Sequence, residues 1–147
     1  MKTNLFIDGT WRPAVDGRTL AVGNPATEQA LARVSDGGVQ DALAAVAAAE
    51  RALPAWSARS PRERGEILRR AFELMTERRD AIARLIVQEN GKAWRDAVSE
   101  VTYAAEFFRW YAEEAVRALG VVSTAPSGTN RILVQLQPVG VSLAVEW

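Results

Sequence analysis

Two carboxylates, Asp96 and Glu100, stand four residues apart in a stretch of helical pattern. Side chains at that spacing share one face of a helix and could hold a divalent cation. No third oxygen ligand is evident beside them, so they read as a surface pair. Arg62, Arg64, Arg69, Arg70, Arg78 and Arg79 form a basic row, but Glu63, Glu66, Glu73 and Glu77 are interleaved with it. That alternation describes a solvated, salt-bridged face rather than an anion or nucleic-acid patch. Tyr103, Phe107, Trp110 and Tyr111 recur at helical spacing. They make either a core or interface stripe or one wall of an apolar ligand channel, and the residues alone leave both readings open. Gly37-Gly38 stands without a G-x-G-x-x-G or P-loop pattern and reads as a turn.

The chain contains no cysteine and no histidine. A thiolate nucleophile, a Cys/His zinc site, an imidazole base and a Ser-His-Asp triad are therefore all excluded. Any chemistry carried by these residues alone would rest on carboxylates, Lys, Tyr or Ser. Lys plus Arg number 18 and Asp plus Glu number 18, and a formal net charge of zero argues against a nucleic-acid partner. No run approaches the ~18 apolar residues of a membrane span. The apolar residues 5–7 end at once in Asp8, too short for a signal-peptide core. The expectation is a soluble cytoplasmic protein with no membrane partner.

Three textures must position these side chains. Residues 4–36 are β-like, with Leu5-Phe6-Ile7, the turn Asp8-Gly9, Thr10-Trp11-Arg12, a second turn at Asp16-Gly17, then Thr19 to Val22 and Ala30 to Val34. Asp-Gly pairs between short strands predict a small antiparallel meander. Residues 39–119 are helical. Alanine-rich sequence predicts a first helix over about 39–53, ended by Pro54. Ser60-Pro61-Arg62-Glu63 supplies a cap, a first-turn proline and a capping box for the second helix, which breaks near Asp80 and stops at Asn90-Gly91. The third spans about 93–119, apolar around most of its girth, which predicts burial on two sides. Residues 121–147 are β-like again, with a polar turn at 126–130 and a loosely alternating run 131–136 ended by Gln137-Pro138. Residues 139–145 form a nearly continuous apolar run, as in a strand buried on both faces of a parallel sheet.

The order Phe6-Ile7-Asp8-Gly9 with Trp11, Asn24-Pro25-Ala26-Thr27, Ala52-Leu53-Pro54-Ala55-Trp56, Arg62-Glu63-Arg64 with Ile67-Leu68-Arg69, Glu89-Asn90-Gly91-Lys92 and Gln137-Pro138-Val139-Gly140-Val141 resembles the N-terminal part of the aldehyde dehydrogenase superfamily. The likeness covers residues 4–145, and the joint order and spacing carry it. The run from Tyr103 to Glu114, with Asn130-Arg131-Ile132-Leu133-Val134, is most similar to succinate-semialdehyde dehydrogenases.

The resemblance implies an α/β fold: short β-hairpins, three long helices, a bridging hairpin and the first strand of a Rossmann-like sheet, truncated. It divides the chain into an N-terminal β-hairpin region (1–38), a helical part of the cofactor-domain region (39–120), a bridging and oligomerising hairpin (121–138) and the first strand of the cofactor-binding sheet (139–147). For the parent enzyme it implies NAD(P)+-dependent oxidation of an aldehyde, favoured as succinate semialdehyde to succinate. A cysteine thiohemiacetal gives up hydride, and a glutamate-activated water hydrolyses the thioester. Where the family continues with a small residue and Trp-Asn, this chain has Glu146-Trp147. Either Trp147 is the motif residue with one position lost before it, or the tail is unrelated sequence after a truncation or frameshift. In both cases the oxyanion asparagine, the catalytic cysteine and the activating glutamate are absent. Residue by residue, the resemblance carries over only Tyr103 and Phe107, as substrate-channel residues. It assigns no catalytic, cofactor-binding or metal residue, and NAD or NADP belongs to the parent family rather than to these residues. It implies a homo-oligomer or pairing with dehydrogenase subunits. The alternative function is a non-catalytic assembly or complementation module.

Overall fold

The computed structural model describes residues 2–144. The elements run β1 (Leu5–Ile7), β2 (Thr10–Arg12), β3 (Thr19–Gly23), β4 (Ala30–Ser35), α1 (Val39–Ser57), α2 (Pro61–Glu77), α3 (Arg79–Asn90), α4 (Trp94–Glu114), β5 (Val121–Thr124) and β6 (Arg131–Val134). The α/β class holds, with three two-stranded antiparallel sheets.

In the first hairpin Asp8 and Gly9 both take positive φ, 53° and 76°, the turn geometry whose twist matches its flanking strands. Phe6 stands opposite Trp11 with ring centroids 5.0 Å apart. The expected meander is instead two separate hairpins, β1–β2 and β3–β4. Pro13 follows β2 without an N–H to continue a ladder. Ala14 is buried and the Val15 N–H turns to Asp41 of α1, so the linker is drawn to the helix and not to the next strand.

The helices depart from the pattern in two places. α1 runs through Pro54 to Ser57, because the turn beyond the proline closes through the Ala58 N–H on the Pro54 carbonyl. The expected second helix is two, α2 and α3, so the three long helices become four. The break lies at Arg78, where the chain leaves helical geometry (φ −98°, ψ 11°). Just before it the Thr76 hydroxyl donates to the Phe72 carbonyl at 2.9 Å, a back-bond that bends helices. Gly91 ends α3 in the left-handed conformation, φ 73°.

The core is a seam of small residues. Ala83 of α3 meets Ala97 and Val101 of α4, flanked by Ile82, Ile86, Val87 and Val98. α2 packs on the same face of α4 farther along the helix, and a Cβ built on Gly65 would stand 2.7 Å from the Ala112 carbonyl oxygen. After α4 the chain turns into the β5–β6 hairpin, paired from Val121↔Val134 to Thr124↔Arg131. The strand predicted over residues 139–145 is not formed over 139–144. Val139 and Leu143 are 97% and 80% exposed. A parallel strand is held by neighbours along its edges, and none pairs with it among the described residues. The end of that run, with Glu146 and Trp147, lies outside the described residues. No helix is long and apolar enough to cross a membrane among those residues.

Candidate functional site

α4 is the element that places the aromatic row. It starts at Trp94, straight after the left-handed Gly91. Lys92 donates to the Glu100 carboxylate, tying the α3–α4 linker to the second turn of α4. Its packed face carries Ala97, Val101 and Ala105, all buried. The expected burial on two sides is not found. Tyr103, Phe107, Trp110 and Tyr111 are 67%, 47%, 62% and 57% exposed. Helical spacing turns these side chains away from the α2 and α3 seam.

Tyr103 and Phe107 meet edge to face, ring centroids 5.0 Å apart and planes at 88°. That is the favoured arrangement for paired aromatic quadrupoles, and it fixes both rings relative to one another. The pair is an apolar wall with one phenol hydroxyl. It can shape a ligand and exclude water, and it holds no nucleophile or base for acyl chemistry.

The other candidates resolve into structure. Glu100 is engaged by Lys92, as a surface pair would be. Among the described residues no cluster of three or more carboxylates could hold a metal. Arg69 bridges Glu66 at 2.8 Å and Glu73, and Arg70 reaches Glu73 at 3.3 Å, the salt-bridged face expected of α2.

One functional-looking group was hidden in the sequence. Asp41 is 3% exposed. Its carboxylate accepts from the Gly38 N–H at 3.1 Å and from the Val15 N–H at 3.3 Å, with the Arg12 guanidinium 3.7 Å away. The signal for it was an acidic residue three positions after Gly38, where its carboxylate reaches back to the Gly38 N–H; glycine has no side chain to return the bond. Its position also tests the fit of a dinucleotide. The Gly37-Gly38 turn before α1 offers the helix N-terminus that phosphates favour. Here the protein's own carboxylate fills it, so these residues do not fit the phosphates of NAD or NADP.

A groove of about 440 Å³ lies between α2 and α4, lined by Arg62, Phe72, Arg109 and Val116 among others. It opens on the side of α4 opposite Tyr103 and Phe107 and shares no residue with them. Nothing in the sequence pattern marked it beyond the arginine row.

Residues 11–146 match the model of the aldehyde dehydrogenase family. A glutarate-semialdehyde dehydrogenase of Pseudomonas putida is 42% identical over 140 residues, 95% of this chain and 29% of that protein. The NADP+ succinate-semialdehyde dehydrogenase GabD of Escherichia coli is 41% identical over 97% of this chain and 31% of its own length. A solved E. coli NADP-dependent enzyme superposes with a TM-score of 0.85 at 39% identity, over 90% of this chain and 27% of the other. The chain thus spans about a third or less of the proteins it matches, and the match is to their N-terminal portion.

Proposed function

The chain belongs to the aldehyde dehydrogenase family, and from that premise we propose that α4 supplies one wall of the aldehyde channel in a semialdehyde dehydrogenase. The family's chemistry is NAD(P)-dependent aldehyde oxidation. The favoured substrate is succinate semialdehyde, an aldehyde with an acid at its far end; one of the two curated relatives is named for it and the other for glutarate semialdehyde. The observation that carries the reading is the exposed, edge-to-face Tyr103–Phe107 pair on the face of α4 turned away from its packing. In that role the rings position the aliphatic part of the substrate and hold water off it. The cofactor and the acyl-transfer groups come from outside these residues, which contain no cysteine.

The test is a hybrid enzyme in which residues 4–144 replace the matched segment of E. coli GabD. Tyr103→Ala and Phe107→Ala in that hybrid raise KM for succinate semialdehyde about tenfold, with a smaller change in kcat, as loss of a uniform binding contact requires. Unchanged kinetics in both variants would remove the channel assignment. The 147-residue chain by itself produces no NADH or NADPH from succinate semialdehyde, read by absorbance at 340 nm; any turnover above blank contradicts its proposed dependence on groups from elsewhere.

A second reading, an assembly module, is favoured by the β5–β6 hairpin. Val122 and Leu133 are paired across it and are 70% and 65% exposed, and its outer strand edges are unpaired among the described residues. In this reading the hairpin joins the chain to a second copy or to dehydrogenase subunits in the cytoplasm.

A further inference from the structure

The groove between α2 and α4 exists because the helices meet on small residues while the long side chains above them turn aside. The two helices run antiparallel, with Gly65 against Ala112 and, farther along α2, Phe72 beside Arg109. Along α2, Arg69 pairs with Glu66 and Glu73. Along α4, Arg109 pairs with Glu106, and Arg117 with Glu113 and Glu114. Among the described residues no ion pair crosses from one helix to the other. The charged heads therefore stay on the rim and their stems form the walls. Phe72, Ala112 and Val116 remain as apolar lining.

This is not a face shaped for protein packing. Charged side chains are depleted at the centre of protein interfaces, whereas four arginines and three glutamates line this groove. Its volume of about 440 Å³ falls in the range of roughly 300–1,000 Å³ found for small-molecule sites. From Arg62 to Glu73 the α2 side of the lining rises about 16 Å. A site drawn out along a helix suits a linear ligand. The one aromatic ring of the lining, Phe72, already has the Arg109 guanidinium over it, 5.6 Å from its centroid. The rest of the apolar lining is aliphatic, which matches an alkyl chain better than a planar ring.

The charge of the ligand follows from Arg62. Glu66, Glu73 and Glu113 are each held by an arginine of their own helix. Of the groove's arginines Arg62 alone has no carboxylate partner among the described residues. It stands exposed in the first turn of α2, and the antiparallel pairing puts it at the Val116 end of the groove. A guanidinium with free donors takes a carboxylate in bidentate geometry. We propose that the groove binds an aliphatic carboxylate, its acid end on Arg62 and its chain laid past Val116 and Ala112 toward Phe72. The site lies on the opposite side of α4 from Tyr103 and Phe107, so it is independent of the channel reading.

The experiment titrates the 147-residue chain with decanoate below its micelle concentration, read by calorimetry, and maps the contact by amide exchange. The expected result is one saturable site per chain, with exchange slowed over residues 62–73 and 109–117 together. Arg62→Ala weakens decanoate roughly tenfold, as loss of a hydrogen bond to a charged group implies, and leaves the binding of neutral decanol unchanged. Arg70→Ala, on the same helix but outside the lining, binds decanoate as the parent does. Arg62 is exposed, so matching far-UV circular dichroism for the two variants shows that folding is not the cause. Equal decanoate affinity in Arg62→Ala and the parent overturns the proposal. So does a loss for decanol as large as that for decanoate, because the acid end is then not what Arg62 reads. Protection that falls on α1 or the β5–β6 hairpin and not on α2 overturns it as well, as does the absence of saturable binding up to the solubility limit.

Discussion

Ser60 and Glu63 cap α2 reciprocally. The Glu63 N–H donates to Ser60 Oγ at 3.3 Å, while Glu63 Oε2 accepts from the Ser60 N–H at 2.9 Å and from Ser60 Oγ at 2.8 Å. Ser60→Ala removes one half and costs about 1 kcal/mol of stability, measured as a shift in the urea midpoint. The hydrogen bonds from the Ser60 hydroxyl and backbone hold the Glu63 carboxyl below its ordinary range. A group with a lowered folded-state pKa stabilises above its unfolded pKa, and the gain vanishes as pH falls through the folded value. The stability gap between wild type and Glu63→Ala is therefore full at pH 7 and closes on acidification below about pH 4.3, the ordinary glutamate value. A gap that widens in acid would contradict the capping assignment. Gly65 acts through space rather than charge. A methyl group there meets the Ala112 carbonyl oxygen at 2.7 Å, and a backbone oxygen cannot swing aside. Gly65→Ala should cost roughly 1–3 kcal/mol, the range for overpacking a close contact. An unchanged denaturation midpoint would mean that α2 and α4 do not approach so closely in solution.

Elements closed by local chemistry were legible in the sequence, and elements held by distant partners were not. Asp8-Gly9, Ser60 to Glu63 and Gly91 each decide a turn or helix end within four residues, and the hairpin β1–β2, the start of α2 and the end of α3 stand where the pattern puts them. The split at Arg78 fell within two residues of the expected break, but the lone Thr76 back-bond gave no strong signal. No strand is formed over residues 139–144, because an apolar run specifies burial, and nothing pairs with this run among the described residues. The aromatic row of α4 was legible as a stripe, but its exposure depended on what lies beside it. Asp41 is the case where an element is set by one residue read too lightly. It joins the β2–β3 linker to α1 across 26 positions. Asp41→Ala leaves the Val15 and Gly38 N–H groups without their acceptor, at a cost of roughly 1–3 kcal/mol if they stay buried. Hydrogen exchange should then quicken in residues 14–18 and in the first turn of α1 together, with α3 and the centre of α4 unaffected. Faster exchange in only one of the two segments would show that Asp41 does not join them.

The molecule as a whole buries little for its length. An unfolded chain of 16.0 kDa exposes about 23,000 Å². Folding to 11357 Å² therefore hides about three quarters of what a compact domain of the same mass hides. The denaturant m-value scales with the surface uncovered on unfolding, so the urea m-value of the isolated chain should be about three quarters of that for a compact 147-residue protein. The deficit lies in the apolar faces of α1, α4 and β5–β6, so the chain should also bind a hydrophobic dye such as ANS while keeping native helical circular dichroism. Near-ultraviolet circular dichroism separates this state from a loosened core. In a loosened core the near-ultraviolet signal of the tryptophans is lost, whereas here Trp11 stays stacked with Phe6 and keeps its signal. Covering the faces reverses both effects. In a complex with the remaining dehydrogenase portion the dye signal falls and the m-value rises above that of the chain alone, because the buried interface is uncovered in the same transition. An m-value already at the compact level in the isolated chain would mean that the open faces close on one another in solution, leaving no surface for a partner to complete.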